Sequence, residues 1–323
     1  MYTGYLLLVT LPLLEIGVRV WGYSEHHIHD PIYTSFESSE NIPYIHKPNL
    51  LKARARGLAV INTDSLGLRS NISGTVYGTK QPQEYRIAIA GDSVTFGEGV
   101  PNTEETFTEV LEHILNQQQN LLTVNVFNFG VSAYSVKEMA AMLQHRMLAL
   151  QPDLVVMAII PHDLNLDRTP IIDSAGYLVG QNVAMLLDSP VGEVLRGVRF
   201  LYVLRDIGSR WSSPPQYIDP LLSHGEIPDS YRYIRQFKET ADQYGLPYLI
   251  VLLPRLEENA WGLLTDRLTQ DMIRHLDLSY LSKEFTLKEY MASRFDRHPA
   301  PPVHRRIGEA LAVYVEHQPE FRQ

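Results

Sequence analysis

Four short stretches hold side chains whose types and spacing suit chemistry. Gly91-Asp92-Ser93 follows an apolar run, YRIAIA. A glycine permits a sharp strand exit, and a serine just beyond it sits where a following helical turn aims its N–H groups, which suits a nucleophile with part of an oxyanion hole. Gly, Asp and Ser are also the ordinary residues of any turn, so this stretch alone leaves both readings open. Asn128-Phe129-Gly130 closes a second apolar run. There Gly130 either presents its N–H to a ligand or supplies a turn. Pro161-His162-Asp163 closes a third, with a polar pair that either faces a cleft or caps the next segment. Near the C-terminus, Asp296-Arg297-His298 sets a carboxylate beside an imidazole. That pairing activates a serine hydroxyl: the His removes the proton, and the Asp orients the ring and stabilises its cation. A single D-x-H is more often a surface pair. Together and in this order the four supply a nucleophile, oxyanion donors, and a base with its orienter.

These residues need a frame. YRIAIA (85–90), LTVNVFNF (122–129), LVVMAII (154–160) and YLIVLL (248–253) are too apolar for half-exposed strands and suit a parallel sheet covered on both faces. Helical stretches lie between them. Asn102-Thr-Glu-Glu105 before FTEVLEHIL and Ser135-Val-Lys-Glu138 before MAAMLQHRMLAL each match a capping box. Met139, Met142 and Met147 then read as core filling. Strand–helix alternation implies an α/β doubly wound sheet whose working residues gather beyond the carboxyl ends of the strands. Residues 165–228 interrupt the rhythm with a hairpin expected around Ser174-Ala-Gly176 and an amphipathic helix, VGEVLRGVRFLYVLRDIG. They read as an inserted cap. A last helix is expected over Pro302–His317.

The chain has 323 residues, 28 Lys and Arg against 37 Asp and Glu, and no Cys. The net charge of −9 and the lack of a basic stripe argue against nucleic acid as a partner. The missing thiols exclude Cys nucleophiles, Cys-ligated zinc and iron–sulfur clusters. Gly91, Gly97 and Gly99 fit neither a phosphate loop nor a dinucleotide fingerprint, and no cofactor is expected. His26, His27, His29 and Asp30 have ligand types for a metal, but a polar loop explains them more simply, and no metal site is expected. Residues 4–23 are apolar apart from Glu15 and Arg19, which are spaced to pair on one helical face, and Trp21 and Tyr23 suit an interfacial belt. This segment is expected to anchor the chain in a membrane. An atypical signal peptide and a buried amphipathic helix are the alternatives. Residues 24–84 read as a loop-rich lead-in with brief strands, and 85–317 as the main domain.

The series GDSVTFGEGV, VFNFGVSAYS, LVVMAIIPHDL and DRHPAPPVHRRIGEAL resembles the SGNH/GDSL hydrolase superfamily. The similarity is to the branch with an N-terminal membrane segment and an INxxGLR-like stretch, here Ile61-Asn62 to Ser65-Leu66-Gly67-Leu68-Arg69. The resemblance covers about residues 45–317 apart from the insertion. It implies a flavodoxin-like three-layer sandwich, with Ser93 as nucleophile, the N–H groups of Ser93 and Gly130 as oxyanion donors, and Asp296 and His298 completing a triad. Asn128, His162 and Asp163 fall in the oxyanion and substrate-binding blocks. The D-x-H spacing is similar to bacterial polysaccharide O-acetyltransferase-like members. This implies an acylated small molecule or polysaccharide as substrate and a catalytic domain outside the cytoplasm. The sequence departs from the family where His162 replaces the oxyanion Asn, where Ala300 and Val303 replace the Asn and Gly of the last block while His304 remains, and where Val94 follows Ser93.

Two functions of different class follow. One is a serine-dependent acyl-ester hydrolase or acyltransferase working through an acyl-Ser93 intermediate on O-acetylated carbohydrate. The other is a catalytically weak or inactive carbohydrate-binding or scaffold subunit of the same fold, for which His162 is the main argument. The retention of Ser93, Asp296 and His298 together favours the enzyme.

Overall fold

The computed structural model describes residues 2–22, 29–117, 122–166, 171–179, 190–201, 203–204, 227–255, 261–318 and 321. A helix, α1 (Tyr2–Trp21), is followed by five short lead-in strands: β1 (Tyr33–Ser35), β2 (Tyr44–His46), β3 (Ala53–Arg54), β4 (Val60–Thr63) and β5 (Arg69–Ser70). The main sheet begins at β6 (Glu84–Gly91). It is joined by β7 (Thr123–Gly130), β8 (Leu154–Ile159), β11 (Tyr248–Leu252) and β12 (His275–Asp277), in the order β12-β11-β8-β6-β7, all parallel. β7 and β8 flank β6 on opposite sides, so the crevice beyond the carboxyl end of β6 is the topological switch point where such sheets place their sites.

Alternate residues feed two cores. Ile87, Ile89, Val124, Val156 and Val251 pack with α3 (Phe107–Gln117) and the C-terminal helix, while Ala88, Phe127, Met157 and Ile250 pack with α4 (Val136–His145) and α6 (Tyr231–Gln243) on the other face. Each fully buried aliphatic side chain there contributes roughly 1.5–3 kcal/mol, which is why apolar runs of this length settle between helical layers. Met139, Met142 and Met147 are core residues, as their pattern implies.

Local signals succeed where a side chain and its own backbone suffice. Ser135 and Glu138 form the expected capping box, with the Ser135 N–H donating to Glu138 Oε2 at 2.8 Å. Asn102 does not cap a helix. Its amide donates to Glu105 Oε2 at 2.9 Å, Thr103–Glu105 form a 3-10 turn, and α3 starts at Phe107, whose N–H is taken by the Nδ1 of His304 at 3.2 Å.

The insertion opens with the expected hairpin, β9 (Ile171–Ile172) and β10 (Leu178–Val179), turned by Asp173, whose Oδ1 accepts the N–H groups of Ala175, Gly176 and Tyr177. Gly176 holds φ +98°, and its carbonyl accepts the Tyr33 N–H, so the hairpin is tied to the lead-in. Beyond α5 (Pro190–Gly197), most of the insertion lies outside the described residues, as do His26 and His27.

α1 forms over the segment expected to enter a membrane, but no helix among the described residues is long and apolar enough to cross one. Its charges turn toward the protein instead. Glu15 pairs with Arg19 at 2.6 Å and accepts the N–H groups of Arg199 and Phe200, and Arg19 donates to the Gly197 carbonyl. Trp21 packs edge-on against Phe295, and Arg294 donates to its carbonyl. After α7 (Gly262–Gln270) and α8 (Leu287–Tyr290), the hairpin β13 (Met291–Ser293) and β14 (Asp296–Pro299) leads into α9 (Pro301–Glu316).

Candidate active site

The serine is set by the exit from β6. Gly91 is forced by close approach, because a Cβ there would lie 1.9 Å from Thr95 Oγ1. The chain turns at once into the four-residue helix α2 (Ser93–Phe96), capped by Asp92, whose Oδ1 accepts the Val94 N–H at 2.8 Å. Gly97, at φ +83°, ends the turn, and the N–H groups of Gly97 and Glu98 both bond the Ser93 carbonyl. Beneath the turn runs Arg69, the last residue of the INxxGLR-like stretch. Its buried guanidinium donates to the carbonyls of Phe96, Gly97 and Val100 and to Thr103 Oγ1. Burial pulls Arg69 down to about 10, with Glu109 and Glu105 opposing, so it stays charged and braces the nucleophile turn.

β14 brings the other two groups. His298 Nε2 lies 2.9 Å from Ser93 Oγ, and His298 Nδ1 lies 2.5 Å from Asp296 Oδ1, which also accepts the His298 N–H at 3.0 Å. The outer oxygen of Asp296 sits against glycine backbone: a Cβ on Gly57 or Gly99 would come within 2.6 and 2.9 Å of it. Burial disfavours charge on Asp296, but the bond and charge of His298, its N–H and Arg56 hold the carboxyl down at about 2. Burial likewise favours a neutral His298 ring. Glu98, the bond and charge of Asp296, and Asp92 outweigh it and push the ring up to about 9. At neutral pH the imidazolium therefore donates from Nε2 to Ser93 Oγ, which in turn donates to Asp92 Oδ2 at 3.3 Å. Once His298 is neutral, the serine proton can turn to Nε2 and Oγ becomes nucleophilic.

The oxyanion side differs from expectation. The Gly130 N–H is already taken by Asn128 Oδ1 at 2.9 Å, and Gly130 is wedged beneath α2, where a Cβ would lie 2.2 Å from Phe96 N. Gly130 is a packing glycine. Asn128 is buried as well, its amide donating to the Thr95 carbonyl and to Thr108 Oγ1. Three residues beyond Gly130, Ala133 holds φ +67°, rare for a residue with a Cβ, and is half-buried like Ser93. Among the described residues, no turn or loop bond engages the N–H of Ser93 or Ala133.

At the third strand exit His162 lies half-buried in a 3-10 turn, Pro161–Leu164. Asp163 is fully buried: Oδ2 accepts the Ile160 N–H, and the carboxyl hydrogen-bonds that of Asp92. Burial, then the Asp92 charge, push the Asp163 carboxyl well above its ordinary value. His304 is buried, and desolvation with the charges of Arg69 and His298 holds it at about 3; it serves α3, not the triad. Among the described residues no group of three metal-ligand side chains converges. Sequence reading missed Arg56, Glu98 and Ala133, which no local pattern marks.

No family model matches the chain, and no curated protein sequence does. Among solved structures the chain is similar to three of note. A member of the lipolytic protein G-D-S-L family from Veillonella parvula is 16% identical over 71% of this chain and 98% of that one, at a TM-score of 0.38. An acetylxylan esterase from Geobacillus stearothermophilus is 13% identical over 70% and 92%, at 0.42. A two-domain esterase active on acetylated mannans is 12% identical over 74% of this chain and 50% of that one, at 0.44.

Proposed function

We propose that the chain is a serine esterase that removes short acyl groups, acetyl foremost, from O-acylated carbohydrate through an acyl-Ser93 intermediate. The observation that carries this reading is the continuous series Asp296, His298, Ser93, with contacts of 2.5 and 2.9 Å. An intact series of this kind also speaks against a purely binding or scaffold role. Neutral His298 takes the Ser93 proton as Oγ bonds to the ester carbonyl carbon. The N–H groups of Ser93 and Ala133 and the ring of His162 hold the oxyanion. The imidazolium then protonates the departing sugar oxygen, and water, activated by the same ring, releases the acid. A sugar hydroxyl in place of that water would make the reaction a transfer. The carbohydrate preference rests on the resemblance of the four sequence blocks. Residues 165–228, most of which lie outside the described residues, are in this reading a cap that selects the acceptor.

The test is a fluorophosphonate probe followed by peptide mapping. Ser93 is the expected modified residue, and the labelling rate should follow the neutral fraction of His298. A base pushed up to about 9 is mostly protonated at neutral pH, so the rate should climb about tenfold per pH unit and level off above that value. No label at Ser93 from about pH 6 to about pH 10 would defeat the esterase reading.

α1 keeps Leu8, Leu13, Ile16 and Val20 exposed while Glu15 and Arg19 face the protein. In our reading that apolar face lies on a membrane surface, with the catalytic domain outside the cytoplasm. The chain should then sediment with anionic or neutral lipid vesicles, and Leu8→Ser with Leu13→Ser and Ile16→Ser should release it. Equal sedimentation of the triple variant would remove this assignment.

A further inference from the structure

Glu98 has no part in the triad, yet the fold builds it against the triad. Its N–H bonds the Ser93 carbonyl at 2.9 Å, tying its backbone to the nucleophile. Its side chain is only 6% exposed, where a carboxylate is costly unless it is paired and hydrogen-bonded. It has both kinds of partner. Ser132 Oγ donates to Oε2 at 2.7 Å, and Arg56 Nε lies 3.6 Å from Oε1. The next residue along each chain segment closes the arrangement. Gly57 and Gly99 hold φ +72° and +80°, a Cβ on Gly57 would lie 2.6 Å from the Gly99 Cα, and both glycines abut the outer oxygen of Asp296. The segments Arg56-Gly57 and Glu98-Gly99 therefore clasp the Asp296–His298 couple, one bringing a cation and the other an anion.

We propose that Glu98 and Arg56 form a charge-setting pair, Glu98 a positioning residue that stabilises the His298 imidazolium and Arg56 its counterweight, which together decide how readily the base gives up its proton. This rests on the reading of His298 as the general base. The charged groups facing His298 are Asp296, Glu98 and Asp92, with Arg56 acting on Asp296. Among those favouring the charged ring, Glu98 comes first, ahead of Asp296. The pair holds the esterase back at neutral pH, where the ring is occupied by its proton, and strengthens the imidazolium that forms as Ser93 attacks.

Glu98→Gln keeps a hydrogen-bond acceptor for Ser132 and removes only the charge. A unit charge close to a titrating ring in a partly buried site shifts it by about 1–2 pKa units. In the full chain, the His298 ring is followed by NMR with ¹³C-labelled histidine, assigned by its loss in His298→Asn, alongside kcat/KM against pH for p-nitrophenyl acetate. Glu98→Gln should lower the ring's titration by about one unit and raise kcat/KM near neutral pH by about 3- to 10-fold, a gain that structural damage does not produce. Arg56→Gln, at the more exposed end of the pair, should move the titration upward and lower neutral activity; it keeps the test decisive if Glu98→Gln fails to fold. An unmoved ring in Glu98→Gln, or shifts of the same sign in both variants, would overturn the proposal. The titration needs no turnover, so the two readings fail separately: opposed ring shifts in a parent that hydrolyses nothing refute the esterase, and an unmoved ring in a parent that hydrolyses the ester refutes the pair.

Discussion

Ser93→Ala and His298→Ala are each expected to lower kcat/KM for a short acyl ester by about 10⁴-fold or more, and the double variant to be little worse than either. The reason is geometric. Ser93 Oγ has its base at 2.9 Å, and removing either member leaves the other without a function. What remains is binding and the oxyanion donors. Asp296→Asn should come close to the same loss, because Nδ1 would then face an amide in place of the carboxylate that holds the ring in its productive tautomer and balances its charge. The assay is steady-state turnover of p-nitrophenyl acetate, with each variant's fold checked by circular dichroism. Ser93→Ala that still cleaves every ester cleaved by the parent would show that the nucleophile lies elsewhere.

His162→Ala is expected to lower kcat by about 10²- to 10³-fold with little change in KM, the mark of a donor used chiefly in the transition state. His162 occupies the turn just beyond β8, in register with the exits of β6 and β7 that carry Ser93 and Ala133. An imidazole can donate from either ring nitrogen, so it can fill the place of an amide. His162→Asn should therefore recover part of the loss. Full activity in His162→Ala would leave the oxyanion to the backbone N–H groups of Ser93 and Ala133.

Much of the frame was legible because its causes are local or compositional. A strand buried on both faces must be apolar throughout, and the four such runs became β6, β7, β8 and β11 within a residue or so of their expected limits. β12 was not legible: three half-buried residues at a sheet edge need no apolar run. The same holds for β13 and β14, whose pairing depends on where the preceding chain delivers them. The N-terminal segment shows a different limit. Its apolar composition signalled a membrane, but composition does not say that Glu15 and Arg19 would find acceptors and donors 178 and more residues away.

The sequence by itself determined the layered α/β frame, the Ser135 cap, and the residue types from which a serine nucleophile, a base and an orienter can be drawn, since each depends on burial pattern or on neighbours within a few residues. Only the tertiary structure decided how they meet. It brought His298 to Ser93 across 205 positions, gave the Gly130 N–H to Asn128, held Ala133 at a positive φ, and paired Glu98 with Arg56, whose charge acts on Asp296. Those outcomes depend on loop conformations and long-range packing, where one hydrogen-bond partner displaces another at small energetic difference, and no short-range pattern encodes which partner prevails.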